Sequence, residues 1–127
     1  MDEPLRVLIV DDHAAARLGL RLRLGRERDL AVVGDAADMA GAVQLAPTLR
    51  PDVVLVDLLL PDGDGIELIG QLRQVVPKSA YLILSLHDSA HHRRRATAAG
   101  VTAFVGKQEP TEVLLTAIRR TRVGQKG

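Results

Sequence analysis

The sequence has no cysteine and no tryptophan, and Tyr81 and Phe104 are its only tyrosine and phenylalanine. Without cysteine there is no disulfide frame, no thiolate zinc site and no cysteine nucleophile, which fits a reducing compartment. Two aromatic rings provide neither a stacking platform for bases nor a cage for a cationic ligand. Charge of one sign is also lacking: 17 Lys and Arg stand against 16 Asp and Glu, a formal net charge of +1. That is far from the basic excess of a dedicated nucleic-acid binder. No apolar run is long enough to span a bilayer, and the acidic start Met1-Asp2-Glu3-Pro4 is unlike a signal peptide. The expectation is a cytoplasmic chain that makes no membrane contact.

The 127 residues are 46% hydrophobic and 26% charged, enough for a sizeable core under a charged surface. At roughly 100–200 residues per domain, the length allows one domain. Residues 1–127 are therefore expected to form a single domain, ordered over 4–123, with Gly124–Gly127 as a frayed end.

Leu5–Val10, Val53–Val56 and Ala80–Leu84 are short runs rich in Val, Ile and Leu, as in strands buried on both faces. Leu30–Val33, closed by Gly34, and Val101–Val105, between Gly100 and Gly106, are weaker candidates. The intervening segments 14–27, 38–49, 64–76, 89–99 and 110–123 are long enough for helices, and Pro110 suits the start of the last. Strands alternating with helices imply a five-stranded parallel α/β sheet with five helices on its two faces. The alternation of Leu18, Leu20, Leu22 and Leu24 is a strand pattern, but a strand there leaves too short a crossover. As a helix, the segment carries two leucine stripes on opposite faces, Leu18/Leu22 and Leu20/Leu24.

Val10 gives way to Asp11-Asp12, Val56 to Asp57 and Leu84 to Ser85. In open α/β sheets ligands bind at the carboxyl ends of strands, where strand order reverses. With strand order 2-1-3-4-5, Asp11, Asp12 and Asp57 converge at that reversal. Three close carboxylates repel unless a cation lies among them, and an all-oxygen site suits Mg²⁺ or Mn²⁺. Beside such a cation a carboxylate can act as nucleophile toward phosphorus. Lys107, one of the lysines Lys78, Lys107 and Lys126, is placed to hold other phosphoryl oxygens, and Ser85 supplies a hydroxyl.

Asp11-Asp12, Asp57-Leu58-Leu59-Leu60-Pro61 with Asp64-Gly65, Ser85, and Phe104 with Lys107 occur in the order and spacing of a known family. The whole chain resembles the CheY-like receiver domain of two-component response regulators. Asp11-Asp12-His13, Arg17-x-Gly19-Leu20 and Val33-Gly34-Asp35-Ala36 are most similar to the NarL/FixJ-type subfamily, which usually carries a C-terminal DNA-binding helix-turn-helix of the LuxR type.

The resemblance implies a flavodoxin-like doubly wound sheet and a signalling role rather than an enzyme's. Asp57 is then the phosphoacceptor, and Asp11, Asp12, Asp57 and the backbone carbonyl of Leu59 hold Mg²⁺. Ser85 and Lys107 contact the phosphoryl group, Ser85 and Phe104 form the switch, and His87 tunes access of water. A sensor histidine kinase is the implied donor, and DNA is reached only through a C-terminal output domain not present in these residues. Ser85 stands where threonine is more frequent, Leu60 where methionine is common, and Gln108 where many receivers have proline.

Leu18 and Leu22 occupy positions usually more polar in the subfamily. With Leu114, Leu115 and Ile118 they are expected to form a homodimer surface on activation. His13, His91 and His92 are expected to face solvent, and the arginines at 93–95 and at 119, 120 and 122 to pair with local acids.

Other functions fit less well. A phosphohydrolase similar to haloacid dehalogenases wants an acid where Leu59 stands. A flavodoxin-like cofactor binder wants a phosphate cradle where Asp11-Asp12 stands. A receiver acting as a phosphorylation-independent interaction module stays open.

Overall fold

The branched apolar runs form strands whose successive side chains alternate between two buried faces, and the intervening segments form helices covering both. The computed structural model describes residues 3–87 and 89–126, with side chains described as far as Arg122. In chain order the elements are β1 (Leu5–Val10), α1 (Ala14–Leu24), β2 (Leu30–Ala36), α2 (Met39–Leu49), β3 (Val53–Val56), β4 (Leu59–Leu60), β5 (Gly63–Asp64), α3 (Gly65–Val75), β6 (Ala80–Ser85), α4 (Ala90–Ala98), β7 (Ala103–Gly106) and α5 (Thr111–Lys126).

Five strands make one sheet in the order β2-β1-β3-β6-β7, every pair parallel. Counting only these strands, the order is 2-1-3-4-5, the flavodoxin-like arrangement expected above. It reverses between β1 and β3, so the strand ends after Val10 and Val56 lie side by side, with Val10 opposite Val56.

Leu8, Val10, Val54, Val56 and Ile83 point to one face, where Ala42 and Ala46 of α2, Leu68, Ile69 and Leu72 of α3, and Ala96 of α4 cover them. Leu5, Val7, Ile9, Val53, Leu55, Leu82 and Leu84 point to the other face, under Leu20 and Leu24 of α1 and Leu114 and Ile118 of α5. Tyr81 is core as well: it is 2% exposed, and its hydroxyl donates to the carbonyl of Val76 at 2.8 Å.

Several boundaries differ from expectation. β2 runs through Gly34 to Ala36 because the register shifts between Val7 and Leu8 and the strand resumes pairing at Gly34. Gly34 also admits a close neighbour, since a β-carbon there would stand 2.7 Å from Leu49 Cδ1. The turn after β3 contains a two-stranded antiparallel hairpin, β4 with β5, which the pattern of apolar residues did not signal. α1 ends at Leu24 rather than 27, and the Gly25 N–H caps it on the Arg21 carbonyl. α5 continues to Lys126, beyond 123, so the frayed end placed at 124–127 is helical as far as Lys126, and Gly127 lies outside the described residues.

The leucine stripes of α1 divide as expected: Leu20 and Leu24 are buried, whereas Leu18 is 58% and Leu22 60% exposed. The partner residues proposed on α5 are corrected. Leu114 and Ile118 are 5% and 0% exposed and face the sheet, and Leu115 packs beside them half-buried. Leu114 and Ile118 thus fill the core and are withdrawn from any dimer surface.

Candidate functional site

The carboxyl ends of β1, β3, β6 and β7 open onto one edge of the sheet. Asp11 follows β1, and its N–H donates to the carbonyl of Ala36 at 3.0 Å. Asp57 follows β3, with its N–H on the Val10 carbonyl at 2.9 Å, and the Lys107 N–H reaches the Ser85 carbonyl at 2.9 Å. Backbone pairing thus carries the side chains of three strands to one point.

There the Lys107 ammonium donates to Asp11 Oδ2 at 2.7 Å and to Asp57 Oδ2 at 3.1 Å. Both carboxylates are buried, Asp11 2% and Asp57 8% exposed, so an unpaired charge would be costly. Burial alone opposes the charge on Lys107, but the two hydrogen bonds and the negative charge of Asp57 and Asp11 outweigh it and raise its pKa.

Asp12 is more exposed and faces the same cleft, of about 410 Å³, which Asp57, Leu59, Leu86, His87 and Lys107 also line. The four residues Asp11, Asp12, His13 and Asp57 each offer a ligand atom, all within 4.8 Å of one another. Three carboxylates offset by one ammonium, with oxygen donors so close, fit a small hard cation such as Mg²⁺ or Mn²⁺. Leu59, at the start of β4, lines the same cleft two residues after Asp57.

Close packing beneath Asp57 requires Gly65 at the first turn of α3. A β-carbon there would collide with the Asp57 carbonyl oxygen, while the Gly65 N–H donates to the Leu58 carbonyl at 2.8 Å. Asp64 caps the helix by accepting from the Ile66 N–H at 2.7 Å and takes Arg95 of α4 on its other oxygen, also at 2.7 Å.

Ser85 is fully buried at the end of β6, and its hydroxyl accepts from the His87 N–H at 2.9 Å. His87 is exposed at the cleft edge. Phe104 is half-buried against the α2–α4 face of the sheet, and the Arg93 guanidinium lies 4.8 Å above its ring centroid.

Two site features were missed in the sequence. Arg17 reaches back from α1, donating to the Asp11 carbonyl at 2.6 Å and lying 3.3 Å from Asp35, which also holds Arg21 at 2.8 Å. The available signal was the spacing of Arg17 and Arg21, four residues apart on one helical face, with Asp35 at the end of the neighbouring strand. His13 was expected to face solvent, and its side chain is 72% exposed, yet its Nδ1 lies 3.0 Å from Asp12 Oδ1. His91 is exposed, whereas His92 is half-buried with Nδ1 shielded and without a hydrogen-bond partner among the described residues. Arg119 of α5 pairs with Asp29 and Glu27, at 2.7 Å each, as expected of a basic stretch with local acids.

A parallel sheet of this order, with an acid pair, an acid and a lysine at its switch point, defines a class. The response regulator receiver domain family matches residues 7–119, and the chain belongs to it. Receiver domains are signalling modules of two-component systems, not enzymes that turn over a substrate.

Among individual relatives, the chain is 34% identical over 121 residues to the response regulator protein VraR of Staphylococcus aureus, an alignment covering 95% of this chain and 58% of VraR. It thus spans little more than half the length of that relative. A LuxR-family two-component response regulator from Aurantimonas sp. SI85-9A1 superposes with a TM-score of 0.90 at 34% identity, over 96% of this chain and 87% of the other. The signal receiver domain of NarL from Mycobacterium tuberculosis superposes with a TM-score of 0.86 at 30% identity, over 95% of this chain and 98% of that domain. Among the described residues no helix is long and apolar enough to cross a membrane.

Proposed function

We propose that the chain accepts a phosphoryl group on Asp57 from a sensor histidine kinase and that the acyl phosphate changes the surfaces at α4 and β7. The observation that carries this reading is the Lys107 ammonium shared between Asp11 and Asp57, at 2.7 and 3.1 Å, beside the exposed carboxylate of Asp12.

A carboxylate oxygen of Asp57 attacks phosphorus, a P–O bond forms, the P–N bond of the phosphohistidine breaks, and its electron pair stays on the imidazole. Asp11, Asp12, Asp57 and the Leu59 carbonyl hold Mg²⁺ or Mn²⁺, which when bound neutralises charge on the transferring group. Lys107 keeps Asp11 and exchanges its second carboxylate contact for a phosphoryl oxygen. The Ser85 hydroxyl, which accepts from the His87 N–H in this structure, turns to donate to another phosphoryl oxygen.

Movement of Ser85 opens space beside β7 into which Phe104 rotates, and Arg93 loses its seat over the ring. α4 is positioned to respond, because Arg95 ties it to Asp64 beside the acceptor. The phosphoryl group shifts this equilibrium only by the amount it favours the second state. His87, at the cleft edge, sets access of water to the acyl phosphate. The exposed pair Leu18 and Leu22 forms a homodimer contact in the activated protein, and DNA is reached through a separate output region, as the likeness to LuxR-family regulators suggests.

The test is the intact mass after incubation with Mg²⁺ and acetyl phosphate. One added phosphoryl group is expected on the wild type and none on Asp57→Asn. Equal addition to both, or none to the wild type, would overturn the reading; the second result would favour a phosphorylation-independent interaction module.

A further inference from the structure

His13 occupies the N-cap of α1, a position favoured by Ser, Thr, Asp and Asn because their side chains bond the first free N–H groups. Its side chain makes no such bond. Instead Nδ1 lies 3.0 Å from Asp12 Oδ1 and 3.4 Å from Asp11 Oδ1. The Asp11 carboxylate is divided between two neighbours, with Oδ1 toward His13 and Oδ2 toward Lys107.

Neighbouring ligand atoms around an octahedral cation with bonds of about 2.1 Å lie about 3.0 Å apart. The separation of His13 Nδ1 from Asp12 Oδ1 has that length, and all four ligand atoms fall within 4.8 Å of one another. The ring is 72% exposed, so little burial opposes a change in its partner.

We propose that His13 is a nitrogen ligand of the cation site, so that it strengthens the binding of borderline divalent cations of the Ni²⁺ and Co²⁺ class without strengthening that of Mg²⁺. This rests on the reading of the acidic cleft as a cation site. Imidazole nitrogen adds little for Mg²⁺, which prefers oxygen and keeps its waters, and much for Ni²⁺ and Co²⁺. The bland alternative is a ring N–H that merely holds Asp12 by a hydrogen bond. Asn separates the two, because its side-chain amide keeps a donor near the place of Nδ1 but is a poor ligand.

Calorimetric titration of the metal-free chain with Ni²⁺ tests this on the wild type, His13→Asn and Asp12→Asn, with Mg²⁺ titrated separately. The expected result is a Ni²⁺ dissociation constant at least about tenfold weaker in His13→Asn and in Asp12→Asn, with the Mg²⁺ constant unchanged in His13→Asn. Unchanged Ni²⁺ affinity in His13→Asn overturns the proposal. So does a loss confined to His13→Asn and absent in Asp12→Asn, since the ion would then sit away from the carboxylates. A wild type that fails to bind Mg²⁺ counts against the receiver chemistry above, whereas the role of His13 is read from Ni²⁺ alone.

Discussion

Lys107 is shared by two buried carboxylates, and its protonation therefore matters to stability as well as to chemistry. Its pKa is raised above the ordinary 10.5, because its bonds to Asp11 and Asp57 outweigh the cost of burial. A raised lysine pKa stabilises the fold fully below the unfolded value, and the contribution is lost as pH climbs through the folded one. Lys107→Met is therefore expected to lower stability by about 1–3 kcal/mol at neutral pH, with the gap to the wild type closing above pH 10.5. Urea titrations across pH measure this, and added Mg²⁺ is expected to restore part of the loss by supplying the missing positive charge. The acids and this lysine were legible in the sequence because each follows an apolar run, and a parallel sheet brings strand ends together. Arg17 and the turn of His13 toward Asp12 were not, because apolar periodicity says which face a residue occupies but not where a long polar side chain reaches.

Among the elements, α3 carries the tightest constraint on the site, since its first residue lies against the backbone of Asp57. Gly65→Ala is expected to cost about 1–3 kcal/mol by overpacking and to slow phosphoryl uptake by displacing Asp57. Thermal unfolding and the rate of mass gain with acetyl phosphate measure the two effects. A variant with wild-type stability and rate would contradict the packing argument. The strand and helix order was readable from runs of branched residues, even for α1, where the leucine alternation imitates a strand. The length of β2 was not, because Gly34 is a stop signal by composition and becomes pairable only through the register shift against β1. The β4–β5 hairpin was hidden for a similar reason: with two residues per strand it has no period to detect.

For the molecule as a whole, two surfaces carry predictions. Leu18 and Leu22 are exposed on α1, so Leu18→Glu with Leu22→Glu is expected to leave stability within about 0.5 kcal/mol while abolishing dimers formed with acetyl phosphate. Sedimentation velocity decides it, and a phosphorylated variant that still dimerises would place the contact elsewhere. The sequence could not separate Leu114 and Ile118 from this pair, because apolar residues on a helix look alike whether they face a sheet or a second molecule. On the other surface, Arg119 ties α5 to the loop before β2 and holds the Asp29 carboxyl below its ordinary 3.8 through their hydrogen bond. A lowered carboxyl pKa stabilises above the unfolded value, and the effect is lost as pH falls through the folded one. Arg119→Met is thus expected to cost about 1 kcal/mol or less at neutral pH and nothing in strong acid, as followed by circular dichroism through an acid titration.

The reach of Lys107 also orders events during synthesis. It lies 96 residues from Asp11 and 50 from Asp57, so the ribosome releases both carboxylates long before the cation that accompanies them. A nascent or truncated chain that ends before β7 carries Asp57 with no lysine beside it. The charge balance of the cleft therefore arrives with the last strand of the sheet, and unfinished chains carry its carboxylates without their cation.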